Sequence, residues 1–188
     1  MADQLTPTAG DLRRERRMIF ATCGSSPIAF DRMMRALEVL PAEELIVQHG
    51  PSPAPPCAEA YPFLPFGRMV ELMEQVDIVV SHAGVGSIMC ALQAGHVPIV
   101  FPRLKRHSET VDDHQAELAS ALSVRGTVLV ATTQQELFDA VQTVPPRTAQ
   151  VSLTSSLPRA VRAAIWGQDI EARGPDSGLL LSGHPDGR

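Results

Sequence analysis

Five short apolar runs, each followed by a helical pattern, decide what this chain can fold into. They are Met18-Ile19-Phe20-Ala21-Thr22, Glu44-Leu45-Ile46-Val47-Gln48, Asp77-Ile78-Val79-Val80-Ser81, 97–101 and 127–130. Their apolar residues are contiguous rather than alternating, so both faces of each strand are to be covered. Helical spacing follows in turn over 31–40, 66–75, 85–94 and 112–122, with a last helix starting near Thr133. Met33, Met34, Leu37 and Leu40 mark the inner face of the first of these. A Pro-rich stretch, with Pro51, Pro53, Pro55 and Pro56, reads as loop. The alternation predicts an α/β fold, a Rossmann-like doubly wound parallel sheet. Ligands of such sheets bind at the carboxyl ends of the strands. The loops after Thr22, Ser81 and Phe101 are therefore the places to look for chemistry.

The ends differ from this middle. The expected domain covers 17–144, with a flexible lead-in over 1–16 and a tail over 145–188. Within the tail, 157–166 has the spacing of a short amphipathic helix. Sixteen Lys and Arg against 21 Asp and Glu give a net charge of −5, which argues against a nucleic-acid backbone as main partner. Cys23, Cys57 and Cys90 lie far apart without C-x-x-C spacing, so neither a disulfide framework nor a zinc site is expected. The six histidines form no i, i+4 pair, and no G-x-S-x-G elbow occurs. No metal and no cofactor is called for. No stretch has the length of a membrane span, and the first ten residues do not read as a signal peptide, which predicts a cytoplasmic protein.

Three loops carry candidate chemistry. Cys23-Gly24-Ser25-Ser26 joins strand to helix, and its amides and hydroxyls suit an anion, although strand-to-helix turns use Gly and Ser for capping too. Ser81-His82-Ala83-Gly84-Val85-Gly86-Ser87 repeats the arrangement with a histidine and two glycines. It is not G-x-G-x-x-G, so no dinucleotide fingerprint follows. His82 can cap the strand or offer one N–H to a diphosphate. The third loop, 102–113, carries Arg103, Lys105, Arg106, His107, Glu109, Asp112 and Asp113, and ends in Asp113-His114-Gln115. Its plain reading is a solvated charged loop with an Asp cap on the next helix; its functional reading is a set of hydrogen bonds to sugar hydroxyls.

Taken together these loops resemble the donor-binding domain of GT-B glycosyltransferases, the glycosyltransferase family 28 C-terminal-like group. The resemblance is carried by Val80-Ser81-His82-Ala83-Gly84-Val85-Gly86-Ser87-Ile88, by Ala94-Gly95-His96-Val97-Pro98-Ile99-Val100, by Pro102-Arg103 and by Asp112-Asp113-His114-Gln115. It extends to single-domain subunits of split UDP-sugar transferases: the eukaryotic subunit that serves dolichol-linked sugars, and the bacterial exopolysaccharide PssE type, toward which Pro102-Arg103 and the charged insertion point.

The resemblance implies a chain equivalent to the C-terminal, donor half of such an enzyme. Gly24, Ser25 and Ser26 would face the donor diphosphate from one turn, and His82, Gly84, Gly86 and Ser87 from the other. Gln115, with Asp113 and His114, would meet the sugar hydroxyls. Phe66, within 63–67, falls at the uracil pocket. Where relatives carry a ribose-binding glutamate this chain has Cys90, and Glu109 is the substitute considered. Arg103, Lys105 or Arg106 would suit the carboxylate of a glucuronic acid donor, with GlcNAc, glucose and galactose left open as donors. The implied activity is inverting transfer from a UDP-sugar to a lipid-linked acceptor in polysaccharide or glycolipid synthesis, with His82 stabilising the leaving group. The implied partner is a membrane-anchored, acceptor-binding subunit that recruits this chain to the cytoplasmic face of a membrane as a peripheral heteromer. The alternative is a non-catalytic subunit that binds a nucleotide sugar or its partner without turnover.

Overall fold

The computed structural model describes residues 16–148. The expected tail helix over 157–166 lies outside the described residues, as does nearly all of the lead-in. The described chain runs β1 (Ile19–Thr22), α1 (Asp31–Leu37), β2 (Leu45–Gln48), β3 (Glu59–Tyr61), α2 (Phe66–Gln75), β4 (Ile78–Ser81), α3 (Val85–Gln93), β5 (Ile99–Val100), α4 (His114–Ser123), β6 (Leu129–Val130) and α5 (Gln134–Thr143), with 3-10 turns at Ala42–Glu44 and Lys105–His107. All strand pairs are parallel, in the order β3-β2-β1-β4-β5-β6. This is the doubly wound order with one reversal, between β1 and β4, where the following loops diverge and open a crevice.

The contiguous apolar runs behave as expected. Every residue of β1, β2 and β4 is buried. One side chain set of the sheet, including Ile19, Ala21, Val47, Val80 and Ile99, packs with α1 and α5. The other, including Phe20, Ile46 and Val79, packs with α2 and the inner face of α3. Alternate residues of one buried strand thus feed two cores. α5 starts where Thr133 and Glu136 form a capping box: Thr133 Oγ1 accepts from the Glu136 amide at 3.2 Å, and the Glu136 carboxylate accepts from the Thr133 amide.

One strand was not expected. The Pro-rich stretch ends in β3, which pairs with β2 at the sheet edge through Ile46, Val47 and Gln48. Its residues Glu59 and Ala60 are exposed, so the strand lacks the apolar signature of its neighbours. Arg17 closes the opposite end of the domain by donating to the Val141 and Val144 carbonyls at the end of α5.

Candidate nucleotide-binding site

The three central strands turn polar at their last residue. Thr22 pairs with Gln48 on one side and Ser81 on the other, and all three are buried. Each then fixes the start of a loop. Thr22 Oγ1 accepts from the Gly24 amide at 3.1 Å, Gln48 Nε2 donates to the Gly24 carbonyl at 2.9 Å, and Ser81 Oγ donates to the His82 carbonyl at 2.7 Å. The polar row therefore sets the carboxyl edge of the sheet rather than merely ending its strands.

Above this row lies a cleft of about 380 Å³ at the β1/β4 divergence. Gly24, Ser25, His82 and Gly84 form its floor, Gly86 and Ser87 one side, and Leu64, Phe66 and Met69 an apolar wall, with Gln48 beneath. Another cavity, of about 330 Å³, opens at the far end of the sheet beside Arg17, Ile19 and Phe138. It sits where strands begin, away from the glycine turns.

His82 organises the floor. Its imidazole is clamped between the two turns: a Cβ built on Gly24 would lie 2.4 Å from its Cε1, and one on Gly84 only 2.2 Å from its Nε2. Gly24 also has φ +80°, a left-handed conformation that favours glycine. Both glycines are thus needed for the ring itself. Gly86 differs, because nothing lies within 4 Å of the Cβ it lacks. Burial, reinforced by the charge of Arg103, lowers the His82 pKa to about 4, so the ring is neutral at pH 7 and offers one N–H.

The second turn opens directly into α3. Gly84 is the N-cap and supplies no side chain, and no carbonyl among the described residues accepts from the amides of Val85, Gly86 and Ser87. These amides, the positive end of the helix dipole and the neutral imidazole converge beside one cleft, an arrangement suited to a phosphate or diphosphate. The first turn is built differently from expectation. α1 begins only at Asp31, so Gly24, Ser25 and Ser26 sit in an irregular loop and not at a helix N-terminus. Ser25 is exposed on the cleft floor, while Ser26 Oγ accepts from the Ile28 amide.

The third loop folds back into the protein. Arg103, expected to face a sugar carboxylate, is 2% exposed and does not line the cleft. Its guanidinium is occupied by carbonyls of Cys23, Ile28, Ala29 and Glu109. Glu109, considered for ribose, is also buried: its carboxylate pairs with Arg32 at 2.7 Å and accepts from the Leu104 amide. Both correct the expectation of direct ligand contact, because each side chain is buried and turned to partners inside the protein. Lys105 and Arg106 remain exposed on their 3-10 turn. Asp113 stands at the start of α4 but makes no side-chain cap; its Oδ1 accepts from the Lys105 amide at 2.9 Å. His114 is exposed beside Glu117 and Asp112. Gln115 Oε1 accepts from the Arg103 amide at 3.2 Å, and its Nε2 donates to no described residue. Phe66 is 68% exposed at the start of α2. Cys90 packs in the core with Phe20 and Met73, and burial raises its thiol pKa.

Gln48 and Arg32 were not singled out in the sequence. Gln48 reads there as the polar end of a strand, and Arg32 as a surface residue of a helix. A glutamine closing a buried strand is the one signal that was available.

Strand order and a cleft at the switch point define a doubly wound α/β domain that resembles the donor domain of GT-B glycosyltransferases. The profile of the glycosyltransferase family 28 C-terminal domain matches residues 18–155, and the chain belongs to that family. It is 42% identical over 73 residues to the UDP-N-acetylglucosamine transferase subunit ALG13 from two strains of Cryptococcus neoformans var. neoformans serotype D. That match covers 38% of this chain and 34% of each relative, about a third of their length. Among solved structures, the glycosyltransferase of kitacinnamycin matches 88% of this chain and 41% of its own, at 20% identity and TM-score 0.49. SnogD from Streptomyces nogalater matches 73% of this chain and 34% of its own, at 22% identity and TM-score 0.41. Among the described residues no helix is long and apolar enough to cross a membrane.

Proposed function

We propose that this chain is the nucleotide-sugar-binding subunit of a two-part glycosyltransferase. The observation that carries the reading is the convergence of the α3 amides, His82 and the Gly24 turn on one cleft with an apolar wall. The diphosphate of a UDP-sugar fits the turns, its base the wall of Leu64, Phe66 and Met69, and its sugar the side nearest Gln115. A partner is supported by where apolar surface is left open. Of the seven large hydrophobic residues exposed among those described, Ile28, Phe63, Phe66, Val85 and Val111 lie on loops or helix starts at the carboxyl edge. Apolar surface gathered at one edge suits a second protein closing over the cleft. The ALG13 likeness supports the same arrangement, since that relative is described as a transferase subunit.

In the transfer reading, the leaving UDP develops negative charge where the amides and His82 already stand. An anion there raises the His82 pKa. Among the described residues His82 is the only titratable side chain lining the cleft, and one group engaged with diphosphate is poorly placed to deprotonate an acceptor. The general base and the acceptor site then belong to the partner, with a lipid-linked acceptor at the cytoplasmic face of a membrane. A second reading, binding without turnover, is favoured by Cys90: a buried thiol occupies the position where the resemblance implies a ribose-binding carboxylate, and no carboxylate among the described residues lines the cleft.

Calorimetric titration with UDP, UDP-glucuronic acid and UDP-GlcNAc tests the shared claim. Ser87→Ala weakens all three ligands, and Gln115→Ala weakens only the two nucleotide sugars. No binding by the chain, alone or with its partner, refutes it. Sugar transfer by the reconstituted pair then separates the two readings.

A further inference from the structure

Three buried side-chain polar atoms among the described residues lack a hydrogen-bond partner: Gln48 Oε1, His82 Nδ1 and Arg103 Nε. All three belong to side chains gathered on one peptide turn. Gln48 holds the Gly24 carbonyl, the His82 ring lies against Gly24, and Arg103 Nη2 donates to the Cys23 carbonyl at 3.3 Å. Buried polar groups are nearly always paired, so three orphans collected in one place single out this turn.

Arg103 is the largest fully buried side chain in this group. Its Nη1 donates to the carbonyls of Ile28 at 3.0 Å and of Ala29 and Glu109 at 3.2 Å, and its guanidinium lies 4.4 Å from the Phe30 ring centre. One cation therefore grips both ends of residues 23–29, the irregular loop that carries Gly24, Ser25 and Ser26. No described carboxylate lies within ion-pair distance of it; the carboxylate of Glu109 is committed to Arg32. With the nearby carboxylate paired to Arg32, the charge of Arg103 is left without a direct counter-ion in a medium that screens it weakly.

We propose that Arg103 is the positioning residue of the anion site, holding residues 23–29 in shape and supplying, from behind the turn, a positive charge that a bound diphosphate balances. The inference rests on the nucleotide-binding reading, and deepens it by assigning the charge that favours a dianion over a neutral ligand. His82, which lines the cleft, senses that charge: after burial, Arg103 is the main cause of its lowered pKa. The other ionisable groups around Arg103 are Glu109, Arg32 beyond it and the Cys23 thiol, which burial keeps protonated.

The test uses the full chain and two probes, UDP and inorganic pyrophosphate, with Arg103→Gln and Arg103→Lys. Ligand-free His82 is titrated by NMR in each variant. Arg103→Gln should weaken both probes about tenfold and raise the His82 pKa. Arg103→Lys keeps the charge, so His82 should titrate as in the wild type, while amide exchange over 25–28 quickens and affinity falls about threefold. Should Arg103→Gln fail to fold, the lysine variant carries the test, and unchanged loop exchange in it overturns the proposal. Unchanged probe affinity and an unmoved His82 in Arg103→Gln overturn it as well. Pyrophosphate binding without UDP binding sinks the nucleotide reading alone, leaving Arg103 judged by the pyrophosphate ratio. A wild type that binds neither probe sinks both.

Discussion

Acidification should unfold this domain partly through His82, and replacing that residue with asparagine should remove the effect. The ring is held neutral with a pKa of about 4, against 6.5 in an unfolded chain. The native state therefore binds the proton less readily than the unfolded state. For a histidine depressed in this way, the contribution is fully present above pH 6.5 and is lost as pH falls toward 4. Each unit of separation corresponds to about 1.4 kcal/mol, so the ceiling is about 3 kcal/mol. Between pH 7 and pH 4.5 about 2 kcal/mol of that is lost, and solvent contact at the cleft rim brings it toward about 1 kcal/mol. Urea unfolding of wild type and His82→Asn at both pH values measures it. His96, buried and hydrogen-bonded to the Met73 carbonyl, is lowered too, so the wild type has a second source of acid sensitivity. That source is common to both proteins and cancels in the difference. Equal loss of stability in the two proteins, or a His82 that titrates near 6.5 by NMR, would refute the reasoning.

Further substitutions separate the roles of neighbouring residues. Gly84→Ala should cost about 1–3 kcal/mol in urea unfolding by displacing the imidazole, and should abolish UDP binding with it. Gly86→Ala meets open space in the first turn of α3, so it should stabilise the fold by about 0.5 kcal/mol yet weaken UDP in calorimetry, because the methyl enters the cleft. Glu109→Gln leaves Arg32 without its carboxylate and should cost about 3 kcal/mol in the same unfolding assay. Thr133→Ala removes the α5 cap and should cost about 1 kcal/mol, with UDP affinity unchanged.

The sheet was legible because β1, β2 and β4 are apolar along their whole length, a pattern that only a doubly covered strand needs. β3 was hidden because its exposed edge position selects Glu59 and Ala60 by the same rules as a loop. The glycine turns were legible as a pair, but not the reason for Gly24 and Gly84: that reason is a histidine ring, and its placement depends on a contact across two strands. Arg103 and Glu109 could not be read correctly from a charged stretch. A chain of polar residues looks solvated until the loop is seen folding inward, where backbone carbonyls and Arg32 take the place of water. Lys105 and Arg106, from the same stretch, do sit at the surface.

The clamp around His82 also restricts the routes by which this site can change. A side chain at 24 or 84 collides with the imidazole, so neither glycine is free to vary while the histidine is present. Shrinking residue 82 first releases position 84, whereas position 24 stays restricted by its own backbone. The three positions therefore have an order of replacement. A variant library that randomises them one at a time will report two invariant glycines and miss every solution that begins at residue 82.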